Sequence, residues 1–257
     1  VSAAAAPTRR INRGRGHSYE IDGQRVESVT WAKDNGLPSR GLINWAAETT
    51  AGYAVDHWEE LGELTPSKRL SILNKARFET RDAAKVRGTQ VHTFAMRLAA
   101  GEEVEVPEPL QGHVDAYLQF VEDWKPRELL VEQPVYNRTL SYAGTPDLIA
   151  ELIDGAVWLL DWKTNAGGIY SDAAVQLAAY RFAEFSIGPD GDEIPLPAVD
   201  RVGAVWLRAD GYDLHPVNAD ERTFRLWRYA REVARFAEAG RDGYVAESLT
   251  VAEALAA

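Results

Sequence analysis

Apolar residues recur along this chain with helical spacing in its first half and with strand spacing in the segment that follows. Residues 17–31, HSYEIDGQRVESVTW, place a turn signal at Asp22-Gly23 between short β-prone runs, which predicts a hairpin or extended lead-in. From about Arg40 to Leu61 the residues Leu42, Ile43, Trp45, Ala46, Val55 and Trp58 fall at mostly helical intervals. Pro66 opens a second helical run toward Ala100, with Gly88 as its one expected break, and a third runs from about Pro109 to Trp124. In that third helix Val114, Tyr117, Leu118 and Val121 make the apolar stripe, and Pro126 stops it. Beyond Pro126 the runs 129–137, 143–153 and 156–163 are β-rich and of strand length. A helix from Ser171, as its N-cap, to Phe185 follows, with Ala174, Val175, Leu177, Ala178 and Phe182 as its apolar positions. Then come a Gly/Pro/Asp-rich loop at 187–198, a strand at 201–209, and an amphipathic helix from Asp220 to Ala239 built on Phe224, Leu226, Trp227, Val233 and Phe236. This order predicts an α/β fold, a central mixed β-sheet flanked by helices, with a helical N-terminal elaboration. One domain is expected over 1–257: a hairpin and helical region at 1–87, a core at 88–210, and a closing helix and tail at 211–257.

Composition narrows the chemistry. The chain has no cysteine, which excludes disulfides, thiolate zinc sites and iron–sulfur clusters, so any metal must sit on carboxylates, imidazole or backbone oxygen. Such ligands favour Mg2+ or Mn2+. No run approaches the length of a membrane span, which together with the lack of cysteine predicts a soluble, cytoplasmic protein with no membrane partner. The opening VSAAAAP reads as a frayed terminus rather than a secretory signal, because its positive charges follow it. A net charge of −11 argues against non-specific coating of nucleic acid. Locally the balance reverses: Lys68, Arg69, Lys75, Arg77, Arg81, Lys85 and Arg87 face only Glu79 and Asp82 in the same stretch, and Arg9, Arg10, Arg13 and Arg15 form a second basic cluster. Both can be plain solvated faces. The first gains weight because it leads toward His92.

The segment GTPDLIAELIDGAVWLLDWKT (144–164) concentrates the candidate chemistry. It puts Asp147 near the start of one strand, a tight turn at Asp154-Gly155, and Asp161-Trp162-Lys163 at the end of the next. By the two-residue period Val157, Leu159, Asp161 and Lys163 share a face. Register decides whether Asp147 joins them. A two-residue turn at 154–155 would pair Asp147 with Trp162 and put the carboxylates on opposite faces. A three-residue connection with Gly155 at or beside a left-handed position, or an irregularity near Pro146, brings them together, and that geometry is expected. Two such carboxylates suit a hard divalent cation, which would neutralise a scissile phosphate, activate water and stabilise the leaving oxygen. Lys163 could orient the water or stabilise developing charge.

Pro146-Asp147 and Asp161-Trp162-Lys163 resemble the motif of the PD-(D/E)XK nuclease superfamily, and further elements resemble its RecB-like, phage-type exonuclease branch. Gly88-Thr89-Gln90-Val91-His92 looks like the branch's helical histidine motif, and Gln176 with Tyr180 looks like its Gln-x-x-x-Tyr motif. The opening HSYEIDGQRVESVTW also looks like that of phage-encoded members. The resemblance covers roughly 88–180. It implies a restriction-endonuclease-like core, with His92, Asp147, Asp161 and the Trp162 backbone carbonyl around Mg2+ or Mn2+. Asp147, Asp161, Lys163, Gln176 and Tyr180 would form the catalytic set, the last two holding Lys163 or the nucleic acid. Many relatives clasp an iron–sulfur cluster with four cysteines, and this chain cannot. The implied function is a DNA exonuclease of recombination, repair or replication, with DNA as substrate and a separate helicase or recombinase as partner, since no P-loop is present. A structure-dependent or restriction-like endonuclease on the same fold, or an inactive DNA-binding subunit, are the alternatives. Glu132 and Glu151, on nearby strands, are candidates for an additional metal carboxylate. His17, His57, His113 and His215 lack a motif context and read as structural or solvent-facing.

Overall fold

A computed structural model describes residues 7–251 apart from 14–15, 39, 100, 166, 241–242 and 249; within its helices and strands the side chains at 13, 40, 79–85, 87, 95 and 99 are left undescribed. The chain forms two sheets. Strands β1 (Arg9–Arg13), β2 (Gly16–Ile21) and β3 (Gln24–Ser28) make an N-terminal meander whose β2–β3 turn is Asp22-Gly23, both in left-handed backbone. That is the primed turn that the Asp-Gly pair favours. Helix α1 (Val29–Gly36) follows, with Ser28 Oγ accepting the N–H of Trp31 at its start. Four helices come next: α2 (Arg40–Asp56), α3 (Trp58–Gly62), α4 (Pro66–Ala99) and α5 (Glu108–Trp124). The expected 40–61 helix is therefore broken at His57, whereas α4 runs unbroken through Gly88 for about 50 Å. Lys125, in left-handed backbone, caps α5 just before Pro126.

Two of the three expected strand runs are each split in two. Residues 129–137 become β4 (Arg127–Val131) and β5 (Val135–Asn137), and 143–153 become β6 (Tyr142–Gly144) and β7 (Leu148–Glu151). Pro134 and Pro146 lie in the two breaks, where a residue without an N–H cannot continue a ladder. The halves then join different sheets. β5 and β6 enter a seven-stranded sheet of order β1-β2-β3-β6-β5-β9-β10, completed by β9 (Phe185–Ile187) and β10 (Glu193–Pro195). β4 and β7 enter a five-stranded sheet of order β12-β11-β8-β7-β4, with β8 (Val157–Lys163), β11 (Arg201–Arg208) and β12 (Gly211–Pro216). In the latter β8 and β11 are parallel and every other pair is antiparallel, so the sheet is mixed, as expected. Helix α6 (Asp172–Arg181) lies on the crossover from β8 to β11, and α7 (Glu221–Ala239) is the last described helix, its start capped by Asp220 accepting from Thr223 N at 2.8 Å. Ser171 holds the N-cap position of α6 but makes no side-chain capping bond.

Helices cover both faces of the five-stranded sheet. On one face Ile149, Leu159 and Val202 pack with Val175 and Leu177 of α6, Val29 of α1 and Trp227 of α7. On the other, Leu148, Leu160, Trp162 and Val205 pack with Val114, Tyr117 and Phe120 of α5 and Val91 of α4. Two apolar stripes read from the sequence face this core only in part or not at all. In α7 Phe224 and Trp227 pack inward as expected, but Leu226, Val233 and Phe236 are exposed, and Ala230, Arg231 and Ala234 turn inward in their place. In α2 and α3 Leu42, Ile43, Val55 and Trp58 are exposed, because the α2–α3 arm packs against α4 rather than against a sheet. None of the described helices is long and apolar enough to cross a membrane.

Candidate metal centre at the end of β8

The hairpin β7–β8 sets the geometry. Leu148 pairs with Leu160 and Glu151 with Val157, and beyond them the N–H of Leu152 donates to Ala156 O at 3.1 Å. The connection is thus three residues, 153–155. The N–H of Gly155 donates back to Leu152 O at 2.9 Å, and Gly155 has φ +75°, a conformation that a side chain would strain. The last pair of the ladder is Leu148–Leu160, and Asp147 and Asp161 are the next residues on the two sides. An odd-length turn gives the parity by which these two positions would fall on one face.

At Pro146 the chain leaves the ladder, and a side chain takes over the hydrogen bonding. Asp147 Oδ2 accepts the N–H of Trp162 at 2.7 Å, standing in for a strand carbonyl. Across β4, Glu132 N donates to Asp147 O at 3.0 Å, and Glu132 itself adopts φ +44°. Left-handed backbone at a non-glycine residue costs on the order of 1–2 kcal/mol, and here the neighbouring strands hold it in place.

Asp161 is 3% exposed at the end of a strand otherwise filled by Trp158, Leu159 and Leu160. Gln176 Nε2, one turn into α6, donates to its Oδ1 at 3.1 Å and lies 3.4 Å from Tyr180 OH. Lys163 Nζ approaches Oδ2 to 2.5 Å, yet off the direction of a hydrogen bond, so that oxygen is buried without an aligned donor. Burial first, and the Asp161 charge second, push the Asp147 carboxyl up to about 8 despite the Trp162 N–H. For Lys163 burial favours the neutral amine, but Asp161 and Asp147 outweigh it and hold the ammonium above its ordinary value. Tyr180 is raised well above the usual phenol range by burial and by the same two carboxylates, so it stays neutral.

His92 reaches this region from α4. Helix α4 comes against the end of β8 at Gly88, where a Cβ would stand 3.2 Å from Thr164 Oγ1. One turn on, the half-buried His92 lines a small hollow with Met96, Tyr117, Glu128, Val131, Glu132, Asp147, Leu148 and Trp162. Burial lowers its pKa, Asp161 pulls it back up and Lys163 opposes that, with a net downward shift. A neutral imidazole is the ligand form. Glu132 therefore shares the hollow, whereas Glu151 sits at the far end of β7 and pairs with Arg127. Glu128, Met96 and Tyr117 were not singled out from sequence. They carry no local motif, and only the packing of α4 and α5 over β4 and β7 assembles them with His92. Lys33 is a further unanticipated neighbour, bound to Asp172 at 2.8 Å at the start of α6.

The basic run on α4 is less uniform than its sequence suggests. Arg69 donates to the carbonyls of Leu64 and Gly62 at 2.9 and 2.8 Å and so closes the end of α3. Lys68, Lys75 and Arg77 are exposed. The side chains of Arg81, Lys85 and Arg87 lie outside the described residues.

Two carboxylates, one of them with a buried oxygen that lacks an aligned donor, and a neutral imidazole are donor types that a divalent cation takes. Among the described residues, no three histidine, aspartate or glutamate side chains already stand close enough together to ligate one. No family model matches the chain, and no curated protein does. Among the solved structures that align with it, the crystal structure of SSO0001 covers 58% of this chain and 70% of its own, at 14% identity and a TM-score of 0.31, a likeness too slight to carry an argument.

Proposed function

We propose that the chain is a DNA exonuclease of the PD-(D/E)XK type, dependent on Mg2+ or Mn2+, with a restriction-endonuclease-like core formed by β4, β7, β8, β11, α5 and α6. The observation that supports this reading is the three-residue β7–β8 connection, whose register, carried one step past its last pair Leu148–Leu160, would bring Asp147 to Asp161, which Lys163 already contacts. His92, Asp147, Asp161 and the Trp162 carbonyl would hold the cation. When bound, it supplies charge neutralisation at the scissile phosphate and acidifies the attacking water.

The remaining roles follow from the side chains. Gln176 fixes the plane of the Asp161 carboxylate through Oδ1, while Lys163 Nζ lies 2.5 Å from Oδ2, the oxygen that a cation would take over or share. In the metal-free site Asp161 and Asp147 favour the Lys163 ammonium, which would donate to an oxygen of the phosphorane or orient the incoming water. Trp162, Tyr117 and Phe120 form an edge-to-face cluster with ring centroids 5.0 and 5.2 Å from Trp162, which fixes the strand end that carries both charged neighbours. DNA is the substrate, and any helicase or recombinase acts as a separate partner.

Digestion of end-labelled single-stranded, duplex and circular DNA with Mg2+ and with Mn2+ tests the reading. Metal-dependent loss of linear substrates with circles spared is the expected result. Cleavage of circles would make the enzyme an endonuclease, and inertness toward every substrate under both metals would reject nuclease activity.

A further inference from the structure

The N-terminal hairpin adjoins the candidate centre through the buried Tyr19, and the face that carries Tyr19 extends beyond the core. Successive side chains of β1 alternate between faces. Arg9 lies opposite Glu20 and pairs with it at 3.1 Å. Arg10 points the other way, and among the described residues no carboxylate pairs with it. Its Nη1 donates to Thr145 Oγ1 at 3.5 Å, its Nη2 stands 3.4 Å from His17 Nδ1, and its Nε is buried with no hydrogen-bond partner. Cross-strand pairing puts Tyr19 beside Arg10 and His17 beside Asn12, so these four share a face.

That face begins at the centre and runs outward. The buried Tyr19 bonds Thr145 Oγ1 through its hydroxyl at 2.8 Å, and Thr145 stands two residues before Asp147, at most about 7 Å along the chain. Past Tyr19 come the half-buried Arg10 and then the exposed Asn12 and His17. A guanidinium, an amide and an imidazole in a row are backbone-contacting groups for nucleic acid, where phosphate and sugar oxygens accept from such donors. In a chain of net charge −11, a guanidinium with no carboxylate partner among the described residues, bonded to Thr145 two residues before Asp147, is a place for a phosphate.

We propose that the β1–β2 hairpin is a substrate-binding wall of the centre, on which Arg10, with Asn12 and His17 beyond it, holds the sugar–phosphate backbone of the DNA strand entering at Asp147. The proposal rests on the nuclease reading above. Arg10 is a binding residue in this account, outside the metal set.

The test uses the full chain, short fluorescein-labelled single-stranded and duplex oligonucleotides, and Ca2+ in place of Mg2+ for the binding measurements. Arg10→Ala should weaken binding roughly tenfold and lower the slope of log Kd against log salt by about one. In Mg2+ it should raise KM more than it lowers kcat. Arg10→Lys should restore most of the affinity, and Arg9→Ala, on the opposite face, should leave both affinity and salt slope unchanged. Wild-type affinity and salt slope in Arg10→Ala would overturn the proposal, as would an equal loss in Arg9→Ala. The two readings fail separately. If the wild-type protein cuts DNA and Arg10→Ala keeps its KM, the wall falls and the nuclease stands; if nothing is cut yet binding depends on Arg10, the wall stands and the nuclease falls.

Discussion

Two clusters of buried charge in this protein are built on opposite terms. At the junction of β3 and α7, Glu27 receives Arg235 Nε at 2.6 Å and Nη2 at 2.8 Å together with Arg231, which also donates to Leu140 O at 2.5 Å and Ser141 O at 2.9 Å. Glu27 meets two cations there, Arg235 pairs also with Glu232 at 2.9 Å, and the buried Arg231 guanidinium is bonded on several sides. At the end of β8 the acids outnumber the cations. Asp147 and Asp161 share one ammonium, and one buried oxygen of Asp161 has no aligned donor. A fully bonded charge cluster holds a fold together, whereas an under-bonded one is a reservoir of unmet interaction that a ligand can meet. Their pKa shifts diverge accordingly. Burial works against the Glu27 charge, but Arg235 and Arg231 overcome it and lower its pKa, while Asp147 is driven up.

The largest expected effect separates the clusters by function. Asp161→Asn should reduce DNA cleavage by roughly 1000-fold or more, the scale on which enzymes lose preorganised electrostatic stabilisation, while the urea midpoint stays at or above that of wild type. A mutant that cleaves at the wild-type rate, or one that unfolds, would erase the distinction. Glu27→Ala should do the reverse. It leaves the Arg231 guanidinium buried without its anion and is expected to cost about 3 kcal/mol of stability in urea denaturation, with the residual folded protein still able to cleave.

Acidity sharpens the contrast, because the two clusters respond to pH with opposite sign. Glu27 has a lowered folded-state pKa, so its contribution is present above the ordinary glutamate range and is lost as pH falls through the folded value. Asp147 has a raised one, so in metal-free protein stability is greatest below its ordinary value of 3.8 and declines as pH rises through about 8. Urea midpoints measured across this range in EDTA should show both slopes. Asp147→Asn should flatten the alkaline one and Glu27→Gln the acidic one. The smallest effect is at the turn that sets the register: Gly155→Ala, forced to φ +75°, should cost about 1 kcal/mol in the same assay without abolishing cleavage.

Much of the centre was legible in the sequence because its cues are local. Asp154-Gly155 marks the turn, although its odd length was expected only because that parity would bring Asp147 and Asp161 to one face, and Asp161-Trp162-Lys163 ends an apolar strand by the simple alternation of side chains. The second sheet was not legible. Runs 129–137 and 143–153 each read as one strand, and only the tertiary structure shows each break, marked by Pro134 and Pro146, passing the chain from one sheet to the other. Helix α1 was hidden because Val29, Thr30 and Trp31 are strand-prone and its eight residues show little periodicity. Strands β1 and β12 escaped for different reasons: the first lies in a basic cluster, and the second alternates Tyr212, Leu214 and polar residues too briefly to stand out. In α7 hydrophobicity pointed to the buried face only in part. Ala230 and Ala234 allow close approach to α1 and α6, and this contact, together with Trp227, turns Leu226, Val233 and Phe236 outward.

Calorimetric titration of Mn2+ into the EDTA-treated, dialysed chain at pH 8 tests, without recourse to any substrate, the proposal that Asp147 and Asp161 hold a divalent cation. Saturable binding should be seen in the wild type, with proton release as Asp147 ionises, and should be lost in Asp161→Asn. A wild-type protein that gives no heat beyond dilution into the millimolar range, or an Asp161→Asn protein that binds as the wild type does, would contradict it.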